Sequence, residues 1–273
     1  MEIEAYNFSR LYKELSKEIW KNGKYVNDTL ELTNVHIKFV SPNFNDCILD
    51  LNGKKTSIKY LLAELIWYWS GHNNVDFISY YASKWNKISD DGKTSNSAYG
   101  YIMFKKFNFN QFELCLDILR KDVNSRRACI ILNDANEDAG ITLDEQCTIF
   151  LQFLIRNGKL DMYTYMRSND IMYGVPYDMP FFISIQLAMA DELNIPVGNY
   201  YHNATSLHCY IKDMKKLMLL KEETLYTEMP KVHIDIKMLM QNAQRLYEIV
   251  SKDKDNILNI MREKGILYDI PKD

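Results

Sequence analysis

Thr148-Ile149-Phe150-Leu151-Gln152-Phe153-Leu154-Ile155, followed by Arg156-Asn157-Gly158 and then Lys159-Leu160-Asp161-Met162-Tyr163-Thr164-Tyr165-Met166, is the stretch on which the fold turns. Two β-rich runs flank Asn157-Gly158, a dipeptide that readily takes the positive φ angles of a tight hairpin turn. The spacing therefore predicts two antiparallel strands. Upstream, Ala128–Leu132 reads as a short buried strand. Helical patterns surround this core. Leu11, Leu15 and Ile19 repeat with helical period in Phe8–Trp20. Ile58–Trp69 is apolar almost all round and reads as a buried helix, and Phe112–Leu119 reads as another, ended by the polar Lys121–Ser125. Pro180–Leu193 reads as a helix with proline in its first turn. Leu207–Leu220 and Ile236–Val250 read as amphipathic helices. Helices and strands mix without regular β-α-β alternation, which predicts the α+β class with an antiparallel component.

The 273 residues, 47% hydrophobic and 25% charged, exclude a disordered chain, which would be poorer in apolar residues and richer in net charge. A chain of this size can bury roughly 75% of its unfolded surface. With no Gly/Ser/Pro-rich linker and no repeat, residues 1–273 read as one domain. A net charge of −3 argues against a mainly electrostatic nucleic-acid binder but leaves room for a small anion held by a few arginines. The longest apolar run, Tyr60–Trp69, is broken by Glu64 and falls short of the ~18 residues of a membrane span. The acidic start, Met1-Glu2-Ile3-Glu4, lacks the order of a signal peptide, so a cytoplasmic protein is expected. Five scattered cysteines without a Cys-x-x-Cys pair predict neither a disulfide framework nor a metal site.

Several residues could carry chemistry. Cys147 stands at the edge of a predicted strand; a lone cysteine is commonly a small buried hydrophobe, but Arg126, Arg127 and Arg167 flank this hairpin in sequence. Guanidinium groups favour a thiolate and also clamp anions. Arg167-Ser168-Asn169-Asp170 gathers a cation, a hydroxyl, an amide and a carboxylate, suited to a phosphate and a ring edge, or else to a polar loop. Asp178, between Pro176 and Pro180, reads either as a helix cap or as a site carboxylate. Glu64 sits in an apolar helix, where burial would raise its pKa toward general acid–base use, unless it lies on a solvated stripe. His208 and Tyr210, at the start of a predicted helix, can bond hydroxyls or simply pack.

Taken in order, these pieces resemble the thymidylate synthase family. Ser125-Arg126-Arg127 resembles its arginine turn, and Cys147 leading to Gln152-Phe153 resembles its nucleophile strand. Arg167-Ser168-Asn169-Asp170 with Gly174-Val175-Pro176 resembles its phosphate and base cluster, and His208-Cys209-Tyr210 its ribose contact. Ala63-Glu64-Leu65 matches its glutamate helix, and Trp85 and Tyr99-Gly100 resemble its folate-pocket flanks. The resemblance runs from about Lys54 to about Tyr210. It implies a thymidylate synthase-like fold: a mixed sheet packed with helices, with the sheet at a homodimer interface.

Three departures stand out. Gln146-Cys147-Thr148 replaces the Pro-Cys-His of the synthases, and Asp178 stands where they carry Asn. No counterpart of their early phosphate-binding arginine is found near Tyr25–Glu31. The first two departures, together with Met166-Arg167-Ser168-Asn169-Asp170, resemble the deoxycytidylate hydroxymethylase branch. Uracil offers an N–H and a carbonyl that an Asn amide satisfies, whereas cytosine offers a bare ring nitrogen and an amine, which a carboxylate can meet.

The resemblance implies roles. Cys147 would add to ring carbon 6, and carbon 5 would then attack the one-carbon unit of methylenetetrahydrofolate. Glu64 would relay protons and Tyr99 would help remove the proton from carbon 5. Asp178 would read the base; Arg167, Ser168 and a partner subunit's Arg126-Arg127 pair would hold the phosphate. Asp170 and Gly174 would contact the nucleotide, His208 and Tyr210 the sugar, and Lys54, Trp85 and Asp170 the folate. No metal, membrane or nucleic acid is expected. The expected reaction is hydroxymethylation of a cytidine monophosphate, the deoxy form favoured. The alternatives are a methylating synthase on dCMP or dUMP, and a non-catalytic nucleotide- or RNA-binding relative.

Overall fold

The Asn157-Gly158 turn forms as its spacing predicts: both residues take positive φ, 52° and 70°, and the strands pair antiparallel from Arg156 opposite Lys159 outward. The computed structural model describes residues 1–51, 53–135, 142–222 and 232–269. In chain order its strands are β1 (Glu2–Ala5), β2 (Lys24–Val26), β3 (Thr29–Phe39), β4 (Asp50–Leu51), β5 (Lys54–Lys55) and β6 (Cys129–Ile131). They continue with β7 (Thr148–Arg156), β8 (Lys159–Asp170), β9 (Val197–Tyr210), β10 (Val232–Ile234) and β11 (Leu267–Asp269). The main sheet runs β1-β3-β9-β8-β7-β6, with β2 hairpinned onto β3. It is mixed: β8 and β9 pair parallel, while β3–β9 and β7–β8 pair antiparallel. The parallel pair is joined by the Val175–Leu193 helix, a crossover that parallel strands require.

Alternation along the strands divides the sheet into two faces. On one, Leu151, Phe153, Leu160, Met162 and Tyr200 are fully buried under helices. On the other, Phe150 stacks on Tyr165 and Tyr163 on Tyr201, with ring centroids 4.5 and 4.4 Å apart, and all four stay partly or largely exposed. The Ile58–Trp69 helix forms because Ser57 caps it and its side chains find a core on every side; Tyr60 through Tyr68 are all buried. It presses so closely on Tyr99–Tyr101 that a Cβ at Gly100 would lie 1.7 Å from the Tyr68 carbonyl oxygen. Among the described residues no helix is long and apolar enough to cross a membrane.

Three elements differ from the sequence expectation. The Pro180–Leu193 helix starts earlier, at Val175, with Pro176 in its first turn and Pro180 inside. Pro180 is tolerated there because its φ is already helical and only one ladder bond is lost. The helix expected over Leu207–Leu220 is strand up to Tyr210 and helix only from Met214. His208 pairs with Glu31 on one side and Asp170 on the other, and that two-sided pairing overrides the local pattern. Ile236–Val250 is broken at Asn242 into two helices, Ile236–Gln241 and Ala243–Lys252.

Candidate functional site

The ends of β8 and β9, the turn before β7 and the buried Ile58–Trp69 helix converge on one open cleft of about 600 Å³. Its walls include Glu64, Tyr99, Cys147, Arg167, Asp170 and Asp178. Trp85, Ser168, Gly174, His208 and Tyr210 also line it. Residues from six separate parts of the chain thus line one space. The strand register explains part of this. Asp170 lies opposite His208 and Ser168 opposite Ser206, so the polar end of β8 and the His208-Tyr210 edge of β9 face one space.

Cys147 ends the loop before β7. Burial pushes its thiol up to about 11, opposed by the nearby Arg167 guanidinium. The three arginines that flank the hairpin in sequence do not all meet the thiol within one chain. Within one chain only Arg167 stands beside it; Arg126 and Arg127 are exposed outside the cleft. Arg167 is itself held: its guanidinium donates to the Gln146 and Glu145 carbonyl oxygens at 2.9 and 3.1 Å and lies 3.3 Å from Glu145 Oε1. The Tyr99 hydroxyl accepts from the Thr148 N–H at 3.2 Å, beside Cys147 in the chain, and burial keeps its own proton firmly on.

Glu64 is buried, not on a solvated stripe. Burial raises its carboxyl to about 7, opposed by a 2.6 Å bond donated by the Tyr60 hydroxyl. That hydroxyl accepts from Trp85 Nε1 at 3.1 Å, so Trp85, Tyr60 and Glu64 form one chain. Tyr60 was missed in the sequence, although it stands one helical turn before Glu64, where side chains meet. Because the folded pKa of Glu64 lies above its ordinary 4.5, its contribution to stability is fully present below about 4.5 and is lost as pH rises through about 7. Glu64→Gln should remove that loss. Urea midpoints of variant and wild type should diverge in favour of the variant between pH 5 and pH 8. A constant difference across that range would contradict the buried, titrating carboxyl.

Asp178 sits in the first turn of the Val175–Leu193 helix, whose N-cap is Gly174. The cap reading is therefore corrected: its Oδ2 accepts from Asn169 Nδ2 at 2.6 Å instead. Burial raises its carboxyl to about 6, and the Asn169 bond opposes that rise. Asp170 is raised by burial too, while its Oδ1 accepts from the Met172 N–H at 2.8 Å. Lys54 on β5 lies behind the cleft wall, its Nζ 5.4 and 5.1 Å from the Tyr173 and Tyr177 ring centres, and burial lowers it to about 8. His208 and Tyr210 meet edge to face at 5.3 Å. Two cations absent from the sequence reading also border the cleft, Lys84 and Lys212. Neither belongs to a motif: Lys84 stands just before Trp85 and Lys212 two residues after Tyr210.

Comparisons with known proteins bear on the family and the fold. The family model described as thymidylate synthase matches residues 10–255. A deoxyuridylate hydroxymethyltransferase of Bacillus phage SP01 is 30% identical over 233 residues, covering 76% of this chain and 60% of that protein. Another deoxyuridylate hydroxymethyltransferase, of Delftia phage PhiW-14, is 28% identical over 210 residues, covering 71% of this chain and 57% of that protein. The chain thus spans at most 60% of the length of these curated relatives. The solved structure of thermostable thymidylate synthase A from Bacillus subtilis matches with a TM-score of 0.68 at 23% identity, over 85% of this chain and 90% of that one, which shows a shared fold.

Proposed function

The chain belongs to the thymidylate synthase family, and on that premise we propose that it transfers a one-carbon unit from methylenetetrahydrofolate to ring carbon 5 of a pyrimidine nucleoside monophosphate, with water completing a hydroxymethyl product. The observation that carries this reading is the meeting of a thiol, an arginine and two burial-raised carboxyls, Cys147, Arg167, Glu64 and Asp178, in one cleft. Binding alone needs no thiol beside a carboxyl that titrates near neutrality; proton transfer with nucleophilic addition needs both.

Cys147 is the nucleophile toward carbon 6, and Arg167 with Ser168 holds the phosphate. Glu64, at about 7, can both give and take a proton at neutral pH. Tyr99 keeps its proton, so it serves as a hydrogen-bond relay beside Cys147 rather than as a free base. His208 and Tyr210 face the sugar. The folate supplies the one-carbon unit. Trp85 and Ile88 provide a flat apolar wall for its ring, with Lys54 and Asp170 nearby. The exposed aromatic face of the sheet suits a second copy of the chain. Gln152 on that face donates to the Arg126 carbonyl oxygen at 2.9 Å, so a copy packed there receives Arg126 and Arg127 near its own cleft.

Asp178 supports cytosine as the base, because an ionised carboxylate meets an amine and repels a carbonyl oxygen. A second reading, uracil, is supported by the two phage relatives, which are named for deoxyuridylate. Their names also support the hydroxymethyl product. One experiment tests the whole: incubate with dCMP, CMP, dUMP and UMP plus methylenetetrahydrofolate and weigh the products. A hydroxymethylated nucleotide without dihydrofolate is expected. Stoichiometric dihydrofolate with a methylated nucleotide would replace the reading by a methylating synthase. Binding without turnover would leave a nucleotide-binding relative.

Base choice has its own test. Asp178→Asn should lower the specificity constant for dCMP and raise it for dUMP. A charged hydrogen bond is worth about 1.5–3 kcal/mol, so the ratio should move roughly ten- to a hundredfold. A ratio unchanged within about twofold, far below the 1.4 kcal/mol of a tenfold change, would remove Asp178 from base reading.

A further inference from the structure

Behind Asp178 runs a buried chain of side chains that no motif announces. The Tyr200 hydroxyl lies 2.8 Å from His202 Nδ1, and His202 Nε2 lies 3.0 Å from Asn169 Oδ1. Asn169 Nδ2 then donates to Asp178 Oδ2. Tyr200 and His202 are fully buried and Asn169 is 2% exposed. Burial holds His202 neutral, its pKa lowered to about 3. A neutral imidazole carries one donor and one acceptor. Facing a carbonyl oxygen, Nε2 must carry the hydrogen, which leaves Nδ1 to accept from Tyr200. Every donor in the chain therefore points toward Asp178. If the Asn169 amide flipped, its NH2 would oppose the Nε2–H and its oxygen would oppose the carboxylate.

Gly174 shows how closely this chain is fitted. A Cβ there would lie 2.6 Å from Asn169 Nδ2 and 2.9 Å from Asp178 Oδ2. Its φ of −92° is open to any residue, so the need for glycine is spatial and not conformational. Gly174 was expected to contact the nucleotide; here its missing side chain makes room for the Asn169–Asp178 bond.

We propose that His202 is a positioning residue for base selection: by fixing the Asn169 amide it holds Asp178 as an oriented acceptor for a pyrimidine with an exocyclic amine. The proposal rests on the reading of Asp178 as the base-reading residue. Lys84, Asp170, Glu64, Cys147, Tyr99, Tyr68 and Tyr200 all act electrostatically with Asp178. Among the described residues His202 bonds Tyr200 and Asn169, and Asn169 in turn bonds the Asp178 carboxylate, so the hydrogen-bonded route from His202 to Asp178 runs through Asn169.

The test uses the full chain with His202→Leu, which removes the donor, and His202→Gln, whose amide can donate to Asn169 Oδ1 and accept from Tyr200. The readouts are the dCMP-to-dUMP ratio of specificity constants and the titration of the Asp178 carboxyl, followed by carbon-13 NMR and assigned with Asp178→Asn. In His202→Leu the ratio should fall roughly three- to tenfold, the worth of one hydrogen bond. The Asp178 midpoint should move up, because a donor to the charged form is weakened. His202→Gln should stay within about twofold of wild type on the ratio. If His202→Leu does not fold, Asn169→Ala carries the same loss. A folded loss variant with ratio and midpoint unchanged overturns the proposal, as does a His202→Gln variant that behaves like His202→Leu. If Asp178→Asn itself leaves the ratio unchanged, the base-reading assignment fails, which is a separate outcome.

Discussion

Cys147→Ala is expected to reduce turnover by more than about a thousandfold, because removing a nucleophile removes the covalent route and not merely a contact. Nucleotide affinity should stay within about tenfold, or 1.4 kcal/mol. The contacts proposed for phosphate, sugar and base come from Arg167, Ser168, His208, Tyr210 and Asp178, and all of these line the cleft independently of the sulfur. The contrast with the other thiols is informative. Cys47, Cys115 and Cys209 are buried, and they line no part of this cleft. Cys115→Ala should therefore cost stability through a small cavity and leave turnover per folded enzyme near wild type. Single-turnover product formation and calorimetric binding of dCMP measure the two quantities. A Cys147→Ala enzyme working within tenfold of wild type would end the assignment.

The Arg126→Ala, Arg127→Ala double variant should lose nucleotide affinity by about a hundredfold or more if both guanidiniums meet a phosphate, since each charged contact is worth about 1.5–3 kcal/mol. The stronger result is expected on mixing. In a mixture of this chain with Cys147→Ala chains, a hybrid dimer has one site with an intact thiol and arginines lent by the other subunit. Random exchange at equal amounts should restore roughly a quarter of wild-type activity, as expected for a two-fold dimer. If the arginines served the cleft of their own chain, every hybrid site would lack one partner and no activity would return. Arg126 and Arg127 are exposed and outside the single-chain cleft, which favours the shared arrangement. No recovery in a mixture shown to exchange subunits would refute it.

Much of this protein was legible in the chain because its signals are local. The Asn157-Gly158 turn needs two positive φ angles and has the residues that take them most readily. The apolar run around Glu64 reads as a buried helix, and of the two places open to its carboxylate, a solvated stripe or the interior, the structure shows the interior, where it is both raised and paired. Eleven of the residues expected from the motifs and the resemblance line one cleft, among them Glu64, Trp85, Tyr99, Cys147, Arg167 and His208, while the arginine turn lies outside it.

What remained hidden depends on partners far apart in sequence. Whether His208 starts a helix or ends a strand is set by Glu31 and Asp170 beside it, not by Leu207 or Cys209. Whether Asp178 caps a helix or faces a cleft is set by where that helix begins, and Pro176 and Pro180 each tolerate the first turn. The Asn169–His202 contact joins residues 33 positions apart and gives Asp178 its orientation. Periodicity and turn chemistry describe a residue and its near neighbours. The direction of a buried hydrogen bond belongs to a pair, and only folding decides which pair is made, because an unpaired polar group inside the core costs about 1–3 kcal/mol and so selects the arrangement in which each donor finds its acceptor.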